Sequence, residues 1–290
     1  MFLFVCPQFR QFLRLEESKV LVSKTKHIQI KKIIYIYFGF LIVFSFFGKS
    51  YGKVAQQQYF FEVQFGNLIV GKAEVLLIND EKKILVKAKT KTAGFLNTFF
   101  EYQGELSSWS IKNREAWKPY KFSTNGFFKN KNRFSELSWD KDNSVSYKIN
   151  PVLDLKEVYD VDQSSLKNVM DPLTSIINVI ENIKNTKSCD QSFKIFDGRR
   201  RYDLKIKSLG KENLKNDRPK SFSGNATICG VKMIPIGGHR LNSKWKPKED
   251  KFRDFKIYFG KTSSGLLFPV RMNLERWFGT VVVRLINKNI

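Results

Sequence analysis

From Gln58 to Ile286 apolar residues recur at every second position, and this period of two commits most of the chain to β-structure with one buried face. Tyr59 to Phe65, Leu68 to Ile78, Ile84 to Thr92, Phe99 to Trp109, Tyr120 to Phe128, Arg133 to Trp139 and Val145 to Ile149 alternate, or are aromatic and β-branched. Asn79-Asp-Glu, Gly94, Asn113 and Asp140-Lys-Asp-Asn143 separate them, which is the punctuation of an antiparallel meander. The pattern resumes at Ser192 to Phe196, Arg199 to Lys207, Asn225 to Met233, Phe252 to Phe259, Leu266 to Arg276 and Thr280 to Ile286.

One segment breaks the period. Met170 to Lys184 opens with Asp171 as N-cap and Pro172 at the first helical position, and it places Leu173, Ile176, Ile177, Ile180 and Ile183 on one stripe. Such a helix needs a sheet to bury that stripe. The expected fold is therefore mainly β: a strongly curved antiparallel sheet or incompletely closed β-barrel, with one amphipathic helix over about 171–184 packed on it or in it. A content of 42% hydrophobic and 14% aromatic residues supports a packed core for a chain of this length.

Ahead of the strands, Lys24, Lys26, Lys31 and Lys32 lead into an uncharged apolar run from Ile33 to Phe47, followed by Ser50-Tyr51-Gly52. Basic, apolar and small-x-small segments in that order read as a secretory signal peptide cleaved near Gly52. The alternative is an uncleaved inner-membrane anchor, although the run spans only about 22 Å of a hydrocarbon core roughly 30 Å thick. Residues 1–23 precede a complete signal and read as an extension. The chain thus divides into a leader, 1–52, and a single β-rich domain, 53–290.

Removing the leader, with eight Lys/Arg and two Asp/Glu, lowers the formal charge from +24 to +18. A chain so basic in the envelope meets anionic lipid or cell-wall polymer before nucleic acid, and no nucleic-acid motif is present. Much of the charge also reflects a composition rich in Lys, Asn, Ile and Phe throughout. Cys6 leaves with the leader. Cys189 and Cys229 then remain as a pair, and in an oxidising compartment their default state is a disulfide closing a loop of about forty residues, worth roughly 4 kcal/mol.

Asp197-Gly198 between Phe196 and Arg199 reads as a two-residue type I′ hairpin turn. That register places Phe193, Ile195, Arg200, Tyr202, Leu204 and Ile206 on the inner face and Arg199, Arg201, Asp203 and Lys205 on the outer one. Arg200 and Tyr202 become the candidate ligand-binding residues, since an inward guanidinium needs an anionic partner. Cys189 and Cys229 share that inward parity with Phe193 and with Val231 and Met233. His239, after Gly237-Gly238, reads as a surface loop residue and a poor metal ligand. Asp160, Asp162 and Asp171 lack the spacing of a calcium loop, and capping accounts for Asp171. No nucleophile, base and orienting group can be named together, and no P-loop, Rossmann glycine pattern or nucleophile elbow is present. The expectation is a non-enzymatic protein with no cofactor and no metal.

Asp171-Pro-Leu-Thr before the helix, Cys189, Phe196-Asp-Gly-Arg-Arg-Arg-Tyr-Asp-Leu204, Cys229, Leu267-Phe-Pro-Val-Arg271 and Gly279-Thr-Val-Val-Val together resemble an exported proteobacterial family catalogued as domain of unknown function 3108. The resemblance covers nearly all of residues 56–290. It implies a periplasmic β-rich domain with a curved sheet similar to the lipoprotein-carrier architecture, and no established activity. Gly237-Gly-His239 departs from the small-Gly-aromatic sequence more usual there. Two roles follow as expectations: a binding or carrier module for a lipid or other anionic amphiphile, or an assembly factor of the envelope acting through a protein partner.

Overall fold

The computed structural model describes residues 54–114, 116–128, 131–242, 252, 254–276 and 279–287; the expected leader, with its apolar run 33–47, lies outside them, as does the expected turn at Trp277-Phe278. Thirteen strands form one sheet. In chain order they are β1 (Ala55–Phe65), β2 (Leu68–Asn79), β3 (Lys83–Thr92), β4 (Tyr102–Asn113), β5 (Ala116–Phe128), β6 (Lys131–Trp139) and β7 (Val145–Asn150), then β8 (Gln191–Phe196), β9 (Arg201–Leu214), β10 (Gly224–Gly237), β11 (Phe255–Lys261), β12 (Leu267–Arg276) and β13 (Gly279–Ile286). Every neighbouring pair is antiparallel, and the order across the sheet is β7-β6-β5-β4-β3-β2-β1-β13-β12-β11-β10-β9-β8. The meander expected from the period of two is present, and its two halves join where β1 meets β13.

The sheet curls around a helix. A short helix, α1 (Phe95–Phe99), follows β3, and a 3₁₀ turn covers Gln163–Leu166; the long helix α2 (Pro172–Thr186) is the one expected from the stripe of isoleucines. Its start is held by the Asp171 carboxylate, which accepts from the amides of Leu173 and Thr174, with Pro172 in the first turn, where its missing N–H costs nothing. Its end is set by Lys187 in the left-handed conformation, whose amide returns to the Ile183 carbonyl. α2 touches β4 and β5 on one half of the sheet and β8 and β12 on the other, so the sheet wraps it.

That enclosure explains why burial exceeds the apolar stripe. Besides Ile177, Val179, Ile180 and Ile183, the polar residues Thr174, Ser175 and Asn178 are buried. Each finds a partner: Thr174 meets Ser108 and Ser110, Ser175 donates to the Pro172 carbonyl, and Asn178 pairs with the backbone of Trp117. A directly opposed row of Val86, Ser108, Phe122 and Leu137 lines the concave face beneath the helix. Phe122 and Leu137 are almost fully enclosed, each contributing roughly 1.5–3 kcal/mol of apolar burial.

β7 and β8 do not pair, so the sheet is open at this edge. The chain between β7 and α2 spans the opening. Residues 157–159 run beside 238–241, with hydrogen bonds from Tyr159 to His239, from Gly238 to Tyr159 and from Leu241 to Glu157. The Val169 carbonyl then accepts from the Trp139 indole at 2.8 Å, and Met170 adds a parallel bridge to Ile195 of β8. Cys189 and Cys229 are disulfide-bonded and fully buried, tying the start of β8 to β10 across the intervening β9. Among the described residues no helix is long and apolar enough to cross a membrane.

Candidate functional site

The hairpin between β8 and β9 carries the arginine-rich string, and its register differs from the expected one. Phe196 pairs with Arg201 and Ile195 with Tyr202, so the turn holds four residues, Asp197 to Arg200, rather than two. The cause is the Asp197 side chain, which accepts from the amides of Arg199 at 3.0 Å and Arg200 at 2.8 Å and makes Asp197 the cap of a wider turn. A shift of two residues preserves parity, and Phe193, Ile195, Tyr202, Leu204 and Ile206 remain on the concave side. Arg200 does not. It falls in the turn, its side chain 45% exposed, with Nη2 at 2.9 Å from Asp197 Oδ2.

Arg201, expected to face water, is buried instead, at 4% exposure. Its face is covered by the segment before α2: Nε donates to the Ser165 carbonyl at 3.1 Å while Nη1 lies 2.7 Å from Asp203 Oδ1. Tyr202 is buried as expected, and burial pushes its phenol far above the ordinary range. It opposes Ile195 and Pro235, in the packed interior. Arg200 and Tyr202 therefore lie in different environments and do not face one ligand together.

The turn instead gathers a different set of cations. Gly198, at φ 89°, rests on β6 so closely that a Cβ would lie 2.6 Å from Ser135 Cβ, and Gly238 backs onto Arg199 with a Cβ position 1.8 Å from its carbonyl oxygen. Both contacts need glycine. Arg133, two residues before Ser135 on the same strand face, is thereby brought beside Arg199. Arg199 donates to the Pro151 carbonyl at 2.7 Å, and burial, then the nearby Arg133 charge, lowers its guanidinium from the ordinary value. Asp197 raises that of Arg200. Three guanidinium groups thus share one rim with the single carboxylate of Asp197, and neither Arg133 nor Arg199 has a salt bridge among the described residues.

A second cationic group was not signalled by the sequence. The connection between β9 and β10 folds back so that Asp217 meets Arg284 of β13 at 2.7 Å and Arg271 of β12 at 3.3 Å. Arg284 also donates to the buried Gln64 at 2.6 Å. The Arg284 hydrogen bonds, ahead of the Arg271 charge, hold Asp217 below the usual carboxylate range. The cavity there, about 10 Å³, has room for one water. Arg271, Arg284, Glu62, Lys72 and Lys91 lie directly opposite one another across successive strands, a row that only the strand order assembles.

Inside the sheet, Asp171 is fully buried and accepts four hydrogen bonds, from the amides of Leu173 and Thr174 and the hydroxyls of Thr174 and Ser108. Burial nevertheless pushes its carboxyl above the ordinary value. Its place is structural, as capping predicts. His239 is half-buried rather than a free loop residue, its ring 4.4 Å from that of Tyr159.

These features define an open, helix-filled antiparallel sheet whose unneutralised charge lies on its rim and outer rows. The chain belongs to the family described as Protein of unknown function (DUF3108), whose model matches residues 55–286. No curated protein and no solved structure matches it.

Proposed function

We propose that this is an exported, non-enzymatic envelope protein, cleaved near Gly52 and periplasmic, that binds the anionic headgroup of an amphiphile at its surface. The reading rests above all on the turn where Arg133, Arg199 and Arg200 share one carboxylate while glycine contacts hold the backbone in place. Guanidinium groups recognise phosphate and carboxylate through paired hydrogen bonds, and a preset cluster loses little entropy on binding. α2 occupies the concave face, which favours a surface site over an enclosed acyl chain. The test is titration with a short-chain phosphatidylglycerol kept below its micelle concentration, against the phosphatidylcholine analogue. Binding of the anionic lipid, weakened about tenfold or more in Arg133→Gln/Arg199→Gln, supports the reading. Equal binding of both lipids, or none, ends it and leaves the envelope-assembly role.

A further inference from the structure

Exposed large apolar side chains occur at several places on the described surface, among them Val54, Val152 and Leu155, and one group of five is drawn together by the backbone. Leu68 is 56% exposed, Ile69 38%, Phe95 65%, Phe99 66% and Phe100 46%, and these five sit together. Leu68 and Ile69 begin β2, just after the Gly66-Asn67 turn; Phe95 to Phe100 form α1 and the residue that follows it. Two contacts bring the segments into one tip. The Ala93 amide donates to the Val70 carbonyl at 3.1 Å, and Gly94, at φ 60°, sits so close that a Cβ would lie 2.7 Å from the Ile69 carbonyl.

α1 has no buried residue. Five residues, none of them buried, are too few to hold a helix in water by propensity, and yet Phe95 and Phe99 present their rings on one side, edge to face at 5.2 Å. Apolar surface gathered this way marks an interaction surface.

The tip's surroundings name the partner. Lys72 and Lys91 stand directly opposite each other on β2 and β3, one residue pair inside the Gly71 and Thr92 pair that borders the tip. Both are exposed and neither forms a salt bridge among the described residues. Arg218 reaches the other side, donating to the Gly66 carbonyl at 3.3 Å and to Asn67 Oδ1 at 2.7 Å. Glu101, hydrogen-bonded by Gln103, is the carboxylate next to α1, and Glu62 lies opposite Lys72. An exposed cluster of phenylalanines and leucine with cations one residue pair further along the strands matches the layering of an anionic bilayer, with acyl chains first and phosphates next.

We propose that this tip docks on an anionic lipid bilayer, seating Leu68, Phe95, Phe99 and Phe100 at the boundary between headgroups and acyl chains while Lys72 and Lys91 meet the phosphates. This goes beyond the arginine-turn reading and stands without it, because it uses none of Arg133, Arg199 or Arg200.

The experiment uses the chain as purified, vesicles of phosphatidylglycerol and control vesicles of phosphatidylcholine. Sedimentation with the anionic vesicles alone is expected. Phe95→Ser/Phe99→Ser should weaken it about tenfold or more, and each of Lys72→Gln and Lys91→Gln about fivefold at low ionic strength. Phe95→Trp should gain fluorescence that brominated acyl chains quench, a signal that vesicle binding through residues 33–47 would not produce. Short-chain phosphatidylglycerol should bind the Phe95→Ser/Phe99→Ser variant as it binds the parent, separating failure of the tip from failure of the arginine turn. Equal sedimentation of that variant and the parent, or no quenching of the indole introduced by Phe95→Trp, overturns the proposal. Phenylalanine-dependent dimerisation in lipid-free buffer overturns it too, and assigns the surface to a second copy.

Discussion

Asn178 completes a β-ladder from inside a helix. Its side-chain amide accepts from the Trp117 amide and donates to the Trp117 carbonyl, both at 2.9 Å, at a position where β6 no longer runs beside β5. The side chain takes the place of a missing strand residue. Asn178→Ala would strand two buried backbone groups and should cost about 2–4 kcal/mol, read as a lower urea midpoint. Asn178→Asp keeps the acceptor but loses the donor, and it should fall below the parent as well.

Asp171 gives stability a pH dependence of defined sign. Burial raises its carboxyl in the folded chain above the ordinary value of 3.8, so folding favours the protonated form. This contribution is fully present below the unfolded value and is lost as pH rises through the folded one. Asp171→Asn retains an acceptor for the Leu173 and Thr174 amides and removes the ionisation. The variant should therefore gain on the parent as pH rises above the unfolded value, measured by denaturation at a series of pH values. A constant difference along that series would rule out ionisation of Asp171 as the cause.

The Cys189–Cys229 bridge ties edge strand β8 to β10. Cys229→Ser should lower stability by roughly 2–5 kcal/mol, with loss of order first at β8 in hydrogen exchange. Two titratable thiols in the native protein purified in air would contradict the bridge.

Gly238 holds φ 74° and leaves no room for a Cβ against the Arg199 carbonyl. Gly238→Ala should cost about 3 kcal/mol or more. Any lipid binding by the arginine turn should fall with it, whereas Gly265→Ala, strained but in open space, should leave that binding intact.

The period of two was enough to locate thirteen strand segments, and capping by Asp171 with Pro172 located α2, because both signals are local in the chain. Parity carried the disulfide and the burial of Tyr202. The arginine turn was legible in composition but not in register, since the Asp197 side chain, which local rules treat as a turn former, bonds two following amides and widens the turn. Arg201 was misplaced for a different reason. Its cover, Ser165, comes from thirty-six residues earlier in the chain and acts only once the sheet has curled. The same holds for Asp217 with Arg271 and Arg284, and for the tip, where Phe99 and Phe100 read as the start of a strand but lie outside β4.

Because β1 pairs with β13, the two ends of the domain meet in the middle of the sheet and not at its edge. A chain still being made presents the Phe60 to Phe65 flank of β1 as an unpaired, apolar template until residues 281–286 arrive. Everything before that moment is a half-sheet open to wrong partners, and the last strand acts as its clasp. Truncation before Gly279 would therefore convert a local deletion into intermolecular strand pairing, and the hazard would fall on residues more than two hundred positions away.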